Sequence, residues 1–207
     1  METIIIGVLL LASVAGLTFI IERGLALRAN KVIPPALESA LETFRGADDA
    51  PMLRRICEQH PSVLSRLLLL AESRRSWPKA ENSNALETTA RHEISRLERG
   101  LVVLEIVVGV APLLGLVGTI YGLITLFAGM GENGLGDNNA LAKGIALALN
   151  ATLIGLLTAI PSLIAWSYYN KKIENMAIEL AALCEGFIIR QYHSEDAPRA
   201  LSEPRTP

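Results

Sequence analysis

Three stretches of the chain stay apolar for longer than a soluble core helix requires. Residues 3–21 carry no charge before Glu22-Arg23, a second uncharged run extends from about Ile106 to Ala128, and a third from about Gly144 to Tyr168. Crossing hydrocarbon takes about 20 helical residues, so each run is expected to span a membrane. A cleaved signal peptide would need a basic region before the first run, whereas Met1 is followed by Glu2, so the first helix is expected to remain uncleaved.

Small residues are not scattered through these runs. Ala111, Gly115, Gly118, Gly122, Thr125 and Gly129 alternate at spacings of four and three, which puts them on one stripe of a helix. Ala148, Thr152, Gly155, Ala159 and Ser162 repeat the pattern in the third run. Without a hydrophobic force between helices in lipid, small side chains mark where backbones approach closely, and the stripes are expected to serve contacts with partner helices. With the two runs centred near Leu116 and Gly155, Thr119 and Thr152 fall at equal depth. Two readings of these hydroxyls stand open: rings of them line a shared interior, or each only bonds a carbonyl one turn back in its own helix.

Between the spans the pattern becomes amphipathic. Pro34-Pro35, Pro51 and Pro61 can each open a helix, over about 36–44, 51–59 and 61–75. After Trp77-Pro78, Asn84-Ala85-Leu86-Glu87 resembles a capping box, and Ile94, Leu97, Leu101 and Leu104 carry one helix from about Ala85 to Phe127, roughly 65 Å at 1.5 Å per residue. Lys171 to about Tyr192 reads as a helical extension, with Ile173, Met176, Leu180, Leu183 and Phe187 near coiled-coil spacing. Residues 194–207 have little to bury and are expected to be disordered. The expected order is therefore a membrane helix over 1–21, a cytoplasmic helical segment over 22–100, membrane helices over 101–128 and 143–169 joined by a periplasmic loop over 129–142, a cytoplasmic helix over 170–193, and a tail. The fold class is an all-α membrane protein of three transmembrane helices with long cytoplasmic helical extensions.

Composition and charge sharpen this. A chain of 207 residues with 51% hydrophobic content and a mean hydropathy of +0.37 is too apolar for an ordinary soluble domain. A net charge of -2 and the lack of a basic run argue against nucleic acid. Thirteen of the 19 Lys and Arg lie in residues 22–100, five follow the third run, and none lies between Gly129 and Ala142. The positive-inside rule then puts the N-terminus outside and the C-terminus in the cytoplasm. Cys57 and Cys184 have no partner spacing and are expected to be free thiols. His60, His92 and His193 are scattered and no nucleophile motif is present, so neither an enzyme, a cofactor nor a metal site is expected. Asn150-Ala151-Thr152 spells a glycosylation sequon, which burial in a membrane makes meaningless.

Together, APLLGLVGTIYGLITLF, LALNATLIGLLTAIPS and the following Tyr169-Asn170 resemble the ExbB/TolQ/MotA proton-channel family, in its ExbB/TolQ branch. Ile20-Ile21-Glu22-Arg23 and Arg96-Leu97-Glu98-Arg99-Gly100-Leu101 fit the same pattern, and three expected spans disfavour the four-span MotA type. The resemblance implies a homopentamer around a central pore in the bacterial inner membrane, lined by the second and third spans. The pore would hold the single spans of an ExbD-like or TolR-like partner whose aspartate takes up protons, and motion would pass to a TonB-like or TolA-like protein. By position, Thr119 and Thr152 match the family's pore threonines. Pro112, Gly115, Gly118, Gly155 and Pro161 match its packing and kink positions, and Gly122 continues the stripe. The chain departs at Leu147, where many ExbB and TolQ sequences carry an acid, so any intramembrane relay must borrow one from the partner. Asn150 is then either a polar substitute or interhelical glue, with glue the favoured reading. Glu105 falls at the cytoplasmic mouth, on the surface or at the pore rim.

Overall fold

The computed structural model describes residues 2–133 and 138–199, which are predominantly helical, with no strand among them. In chain order the helices are α1 (Glu2–Ala26), α2 (Ala29–Val32), α3 (Pro35–Thr43), α4 (Ala50–Gln59), α5 (Val63–Ser73), α6 (Lys79–Glu98), α7 (Leu101–Asn133) and α8 (Asn138–Arg199). Three of them are long and apolar enough to cross a membrane: within α1, Ile4–Ala26; within α7, Leu101–Gly129; and within α8, Leu141–His193. The chain divides into two compact units, Met1–Leu25 with Gly100–Asn170, and Ala26–Arg99 with Lys171–Pro207.

The first unit joins α1, α7 and the first half of α8. Leu9, Val107, Ala111 and Ala159 are its buried apolar centre, with Ile5, Leu114 and Ile154 packed around them. Outward, Leu11, Leu113, Leu157 and Ile164 remain exposed, as expected of a surface solvated by lipid tails. On α1, a Cβ at Gly16 would come within 3.0 Å of Ser162 Oγ. Further along, the Tyr169 hydroxyl lies where a Cβ of Gly24 would be and donates to the Ile20 carbonyl at 2.8 Å. A side chain at position 24 would bar that bond.

The second unit is built differently. Leu37, Leu41, Leu64, Leu67, Leu68, Leu180 and Phe187 form the fully or nearly fully buried heart of its core. Each such side chain removed from water contributes about 1.5–3 kcal/mol. Phe44 and Phe187 pack with ring centroids 4.9 Å apart and planes inclined at 46°. Ser62 caps α5 through a reciprocal box with Ser65, each backbone N–H donating to the other's hydroxyl, at 2.7 and 3.1 Å. Buried Asn82 donates to Ala71 O at 2.9 Å and to Tyr192 Oη at 3.1 Å, and Tyr192 in turn donates to Trp77 O at 2.9 Å, tying the α5–α6 turn to the end of α8. The buried Glu93 accepts from Arg66 Nη2 at 2.6 Å. That hydrogen bond, aided by the charges of Arg66, Arg96 and His92, holds its carboxyl below the usual range against the opposing effect of burial.

Four expectations change. The single helix over 85–127 is two, α6 and α7, separated at Arg99-Gly100. Glycine weakens a helix locally, and the Arg23 guanidinium packs into the space a Cβ at Gly100 would occupy. Asn84 does not start a helix: α6 begins at Lys79 after Pro78, whose extended backbone, ψ 137°, serves as the N-cap. The loop expected over 129–142 is entered from both sides by helix, α7 reaching Asn133 and α8 starting at Asn138, while 134–137 lie outside the described residues. The tail expected to be disordered from Ser194 is helical to Arg199, and 200–207 lie outside the described residues.

Candidate functional site: a hydroxyl pair between two spans

The two small-residue stripes meet each other inside one chain. A Cβ at Gly155 would lie 2.6 Å from Ala111 O and 3.2 Å from Gly115 Cα, and one at Gly115 would lie 2.9 Å from Ala151 O and 3.0 Å from Thr152 Cα. Only glycine permits backbones this near. Gly118 faces Ala151, whose Cβ would be 2.7 Å from an added Cβ, and Gly122 is buried. The stripe of α7 is thus used on α8 rather than reserved for another subunit. Towards the C-terminal end of α7 the stripe is different: Thr125 is exposed, and no described residue lies within 4 Å of a Cβ at Gly129.

Close approach brings Thr119 and Thr152 into direct hydrogen-bond contact, hydroxyl to hydroxyl. Thr119 Oγ1 is also 3.0 Å from Ala148 O across the helix pair and 3.2 Å from Gly115 O one turn back, and Thr152 Oγ1 is 3.2 Å from Gly115 O on the facing helix. Thr119 therefore has the back-bond foreseen for an isolated helix, but both threonines bond across helices as well. A hydroxyl has one proton to give and two lone pairs. If Thr119 donates to Ala148 O, Thr152 can donate to Thr119 Oγ1, and both protons are spent within the chain. What remains available is lone pairs. The pair can then receive a hydrogen bond from water or from a protonated acid, and it binds a carboxylate only by breaking an internal bond.

The other candidate residues do not converge on this point. Pro112 sits within α7, partly buried, and Pro161 lies exposed within α8. Glu105, in the second turn of α7, is exposed, as are Leu147 and Asn150 on α8. Among the described residues Asn150 makes no side-chain hydrogen bond. No acidic side chain occurs between Ile106 and Phe127 or between Gly144 and Tyr168. Among the described residues no group of His, Cys, Asp and Glu could hold a metal. Both cysteines are free and buried, and burial, with Glu58 nearby, pushes the Cys57 thiol up to about 11.

Sequence reasoning missed three contacts of the first unit: Gly16 with Ser162, Gly24 with Tyr169, and Arg23 over Gly100. The glycines of α1 were a usable signal, since Gly16 and Gly24 lie eight residues apart on nearly one helix face.

Three helices long and apolar enough to cross a membrane, two of them packed through glycines and a pair of hydroxyls, define a helical membrane protein. The sequence model of the MotA/TolQ/ExbB proton channel family matches residues 53–182, and the chain belongs to that family, in its ExbB/TolQ branch. It is 34% identical over 167 residues to the biopolymer transport protein ExbB-like 1 of Synechocystis, covering 76% of this chain and 63% of that protein. It is 30% identical over 148 residues to a biopolymer transport protein ExbB homolog of Methanothermobacter thermautotrophicus, 72% of this chain and 52% of that one. To the Tol-Pal system protein TolQ of Pseudomonas aeruginosa it is 29% identical over 205 residues, 91% of this chain and 87% of TolQ. The chain spans less than two thirds of the length of the first two relatives.

Proposed function

We propose that this chain is the inner-membrane stator and proton-path subunit of an ExbB-ExbD-TonB type motor, which uses the proton motive force to energise outer-membrane transport. In this reading it assembles as a homopentamer around a pore, N-terminus periplasmic and C-terminus cytoplasmic. The pore surrounds the single span of an ExbD-like or TolR-like partner, and the partner's aspartate supplies the titratable group that Leu147 does not. The observation that carries the reading is the Thr119–Thr152 pair, hydroxyls facing each other from two stretches, 106–127 and 144–168, that carry no acid. With its own protons engaged, the pair accepts from the protonated form of the partner's acid or from a chain of water, and favours the proton-loaded state at that depth. The relatives named ExbB and the relative named TolQ support two versions of the same machine, one serving uptake through a TonB-like protein and one serving envelope integrity through a TolA-like protein. Membrane lipid surrounds the assembly.

The test is Thr119→Val and Thr152→Val, which keep the branched shape and remove a hydroxyl. Each is expected to cost about 1 kcal/mol or less in assembly and to lower energy-dependent uptake, or detergent resistance in the TolQ version, severalfold in cells lacking the native subunit. Normal work by both variants, with normal assembly, would leave the chain a non-conducting scaffold.

A further inference from the structure

The second unit hides most of its large side chains, yet it leaves apolar surface open on two separate elements. On α8, Ile178 and Ile189 are 64% and 47% exposed, and with exposed Ala182 and Glu185 they fall at spacings of four, three and four, one stripe of the helix. Beside that stripe a groove of about 250 Å³ runs between α6 and α8. Leu86, Ala90, Ala181 and Ile188 give it an apolar lining, and Glu87 and Glu185 give it two acids. Glu87 accepts from Arg91 Nη2 at 2.7 Å. Glu185 makes no ion pair among the described residues.

The second element is α4. Its Met52 is 67% exposed, more than any other large apolar side chain described in this unit. Arg55 follows three residues on, a neighbour on the same helix face, and it too is exposed. Arg54 is engaged by Glu58 at 3.3 Å, whereas Arg55 makes no hydrogen bond or ion pair among the described residues. The two surfaces match in chemistry: an apolar groove with an unpaired acid, and a flexible apolar side chain with an unpaired guanidinium beside it. Water favours covering both. No residue of α4 lines the groove, so the halves do not meet within one copy. Each copy of the chain carries both, in equal number.

We infer that the α6–α8 groove of one copy receives Met52 and Arg55 from α4 of the next copy, the methionine covering the apolar lining and the guanidinium pairing with Glu185. The inference rests on the assembly of copies in the stator reading and adds to it the contact that joins their second units. Methionine adapts its three rotatable bonds to an irregular groove. Because two different surfaces meet, the contact is head-to-tail: every copy gives one and receives one. Such contacts pass from copy to copy until a ring closes, whereas a contact between identical surfaces stops at two.

The test is disulfide trapping of the full-length protein in membranes, with oxidation catalysed by copper-phenanthroline and products read on a denaturing gel. Met52→Cys combined with Ala181→Cys is expected to give a ladder of linked copies extending beyond the pair, and either variant alone none. Ser83→Cys, also on the groove, replaces Ala181→Cys if that variant misfolds. In the linking background Arg55→Glu should slow the reaction about two- to fivefold, the span of an exposed ion pair, and Glu185→Arg added to it should restore the rate. Linking by Met52→Cys alone, arrest of the double variant at two copies, or a rate indifferent to these charges would overturn the contact. No linking in protein that native mass spectrometry shows to be oligomeric would overturn it and leave the stator reading standing. A monomer would overturn both.

Discussion

The two units of this chain hold themselves together by opposite means. In the second, large side chains are hidden: Leu37, Leu64, Leu67, Leu68 and Phe187 are essentially inaccessible. In the first, many large side chains point outward, and glycine, alanine and hydroxyl groups are hidden beside a few large ones: Gly115, Gly118, Ala148, Ala151, Gly155 and Ser162. Water makes apolar burial favourable in one. Lipid makes it indifferent in the other, where dispersion contacts between close backbones and a few hydrogen bonds remain. A substitution that adds atoms should therefore injure the first unit most, and one that removes them the second.

The sharpest break of this contrast is Gly155→Leu. With a Cβ meeting Ala111 O at 2.6 Å, the helices must separate and take the threonine pair with them. No stable protein is expected from detergent, by size-exclusion chromatography after a temperature series. Gly109→Leu, where nothing lies within 4 Å, should behave as wild type. The converse is Phe187→Ala, which leaves a hole against Phe44 and should cost about 3–5 kcal/mol, seen as faster proteolysis of the second unit. Equal tolerance of the two leucine variants would mean that backbone proximity does not hold α7 to α8.

An intermediate effect separates the units by pH. Folding keeps the Glu93 carboxyl below its ordinary value of 4.5, chiefly through the Arg66 hydrogen bond. The stabilisation is fully present above that value and is lost as pH falls through the lower folded-state value. Glu93→Gln should cost roughly 1–3 kcal/mol near neutral pH. The gap from wild type should close as pH drops below about 4.5. A gap constant down to pH 3 would mean that shape, not charge, is what Glu93 supplies.

Much of this was legible because hydrophobic runs and four-three spacing are local signals. The spans, their small faces and the equal depth of Thr119 and Thr152 needed only helical periodicity. Which face meets which was not legible, since a stripe of glycines fits a helix of the same chain as well as one from a neighbour. Asn84 misled because its motif is local, while the helix start at Lys79 follows Pro78 and is secured by Asn82 reaching Tyr192, 110 residues away. Gly100 read as a continuing helix because one glycine rarely stops one, and Arg23 filling its vacant side was a long-range fact.

The smallest effect tests whether hydrogen bonds add to packing in the first unit at all. Tyr169 donates to Ile20 O, a carbonyl that α1 already uses, so the phenol is a second donor rather than a rescuer of an orphan. Its removal in Tyr169→Phe leaves the carbonyl satisfied, and the cost should be about 0.6 kcal/mol, the average for polar contacts between membrane helices. Gly24→Ala should cost more, because the added Cβ would sit 2.9 Å from the phenol oxygen and push the whole ring away from α1. The double variant separates the two causes. If the methyl group acts only by displacing the hydroxyl, Gly24→Ala added to the Tyr169→Phe variant should cost little more, and if it acts by wedging the helices apart, its cost should persist. Thermal midpoints of the four proteins in one detergent decide between these, and a Tyr169→Phe cost above that of Gly24→Ala would show that α1 is held by its hydrogen bond rather than by its fit.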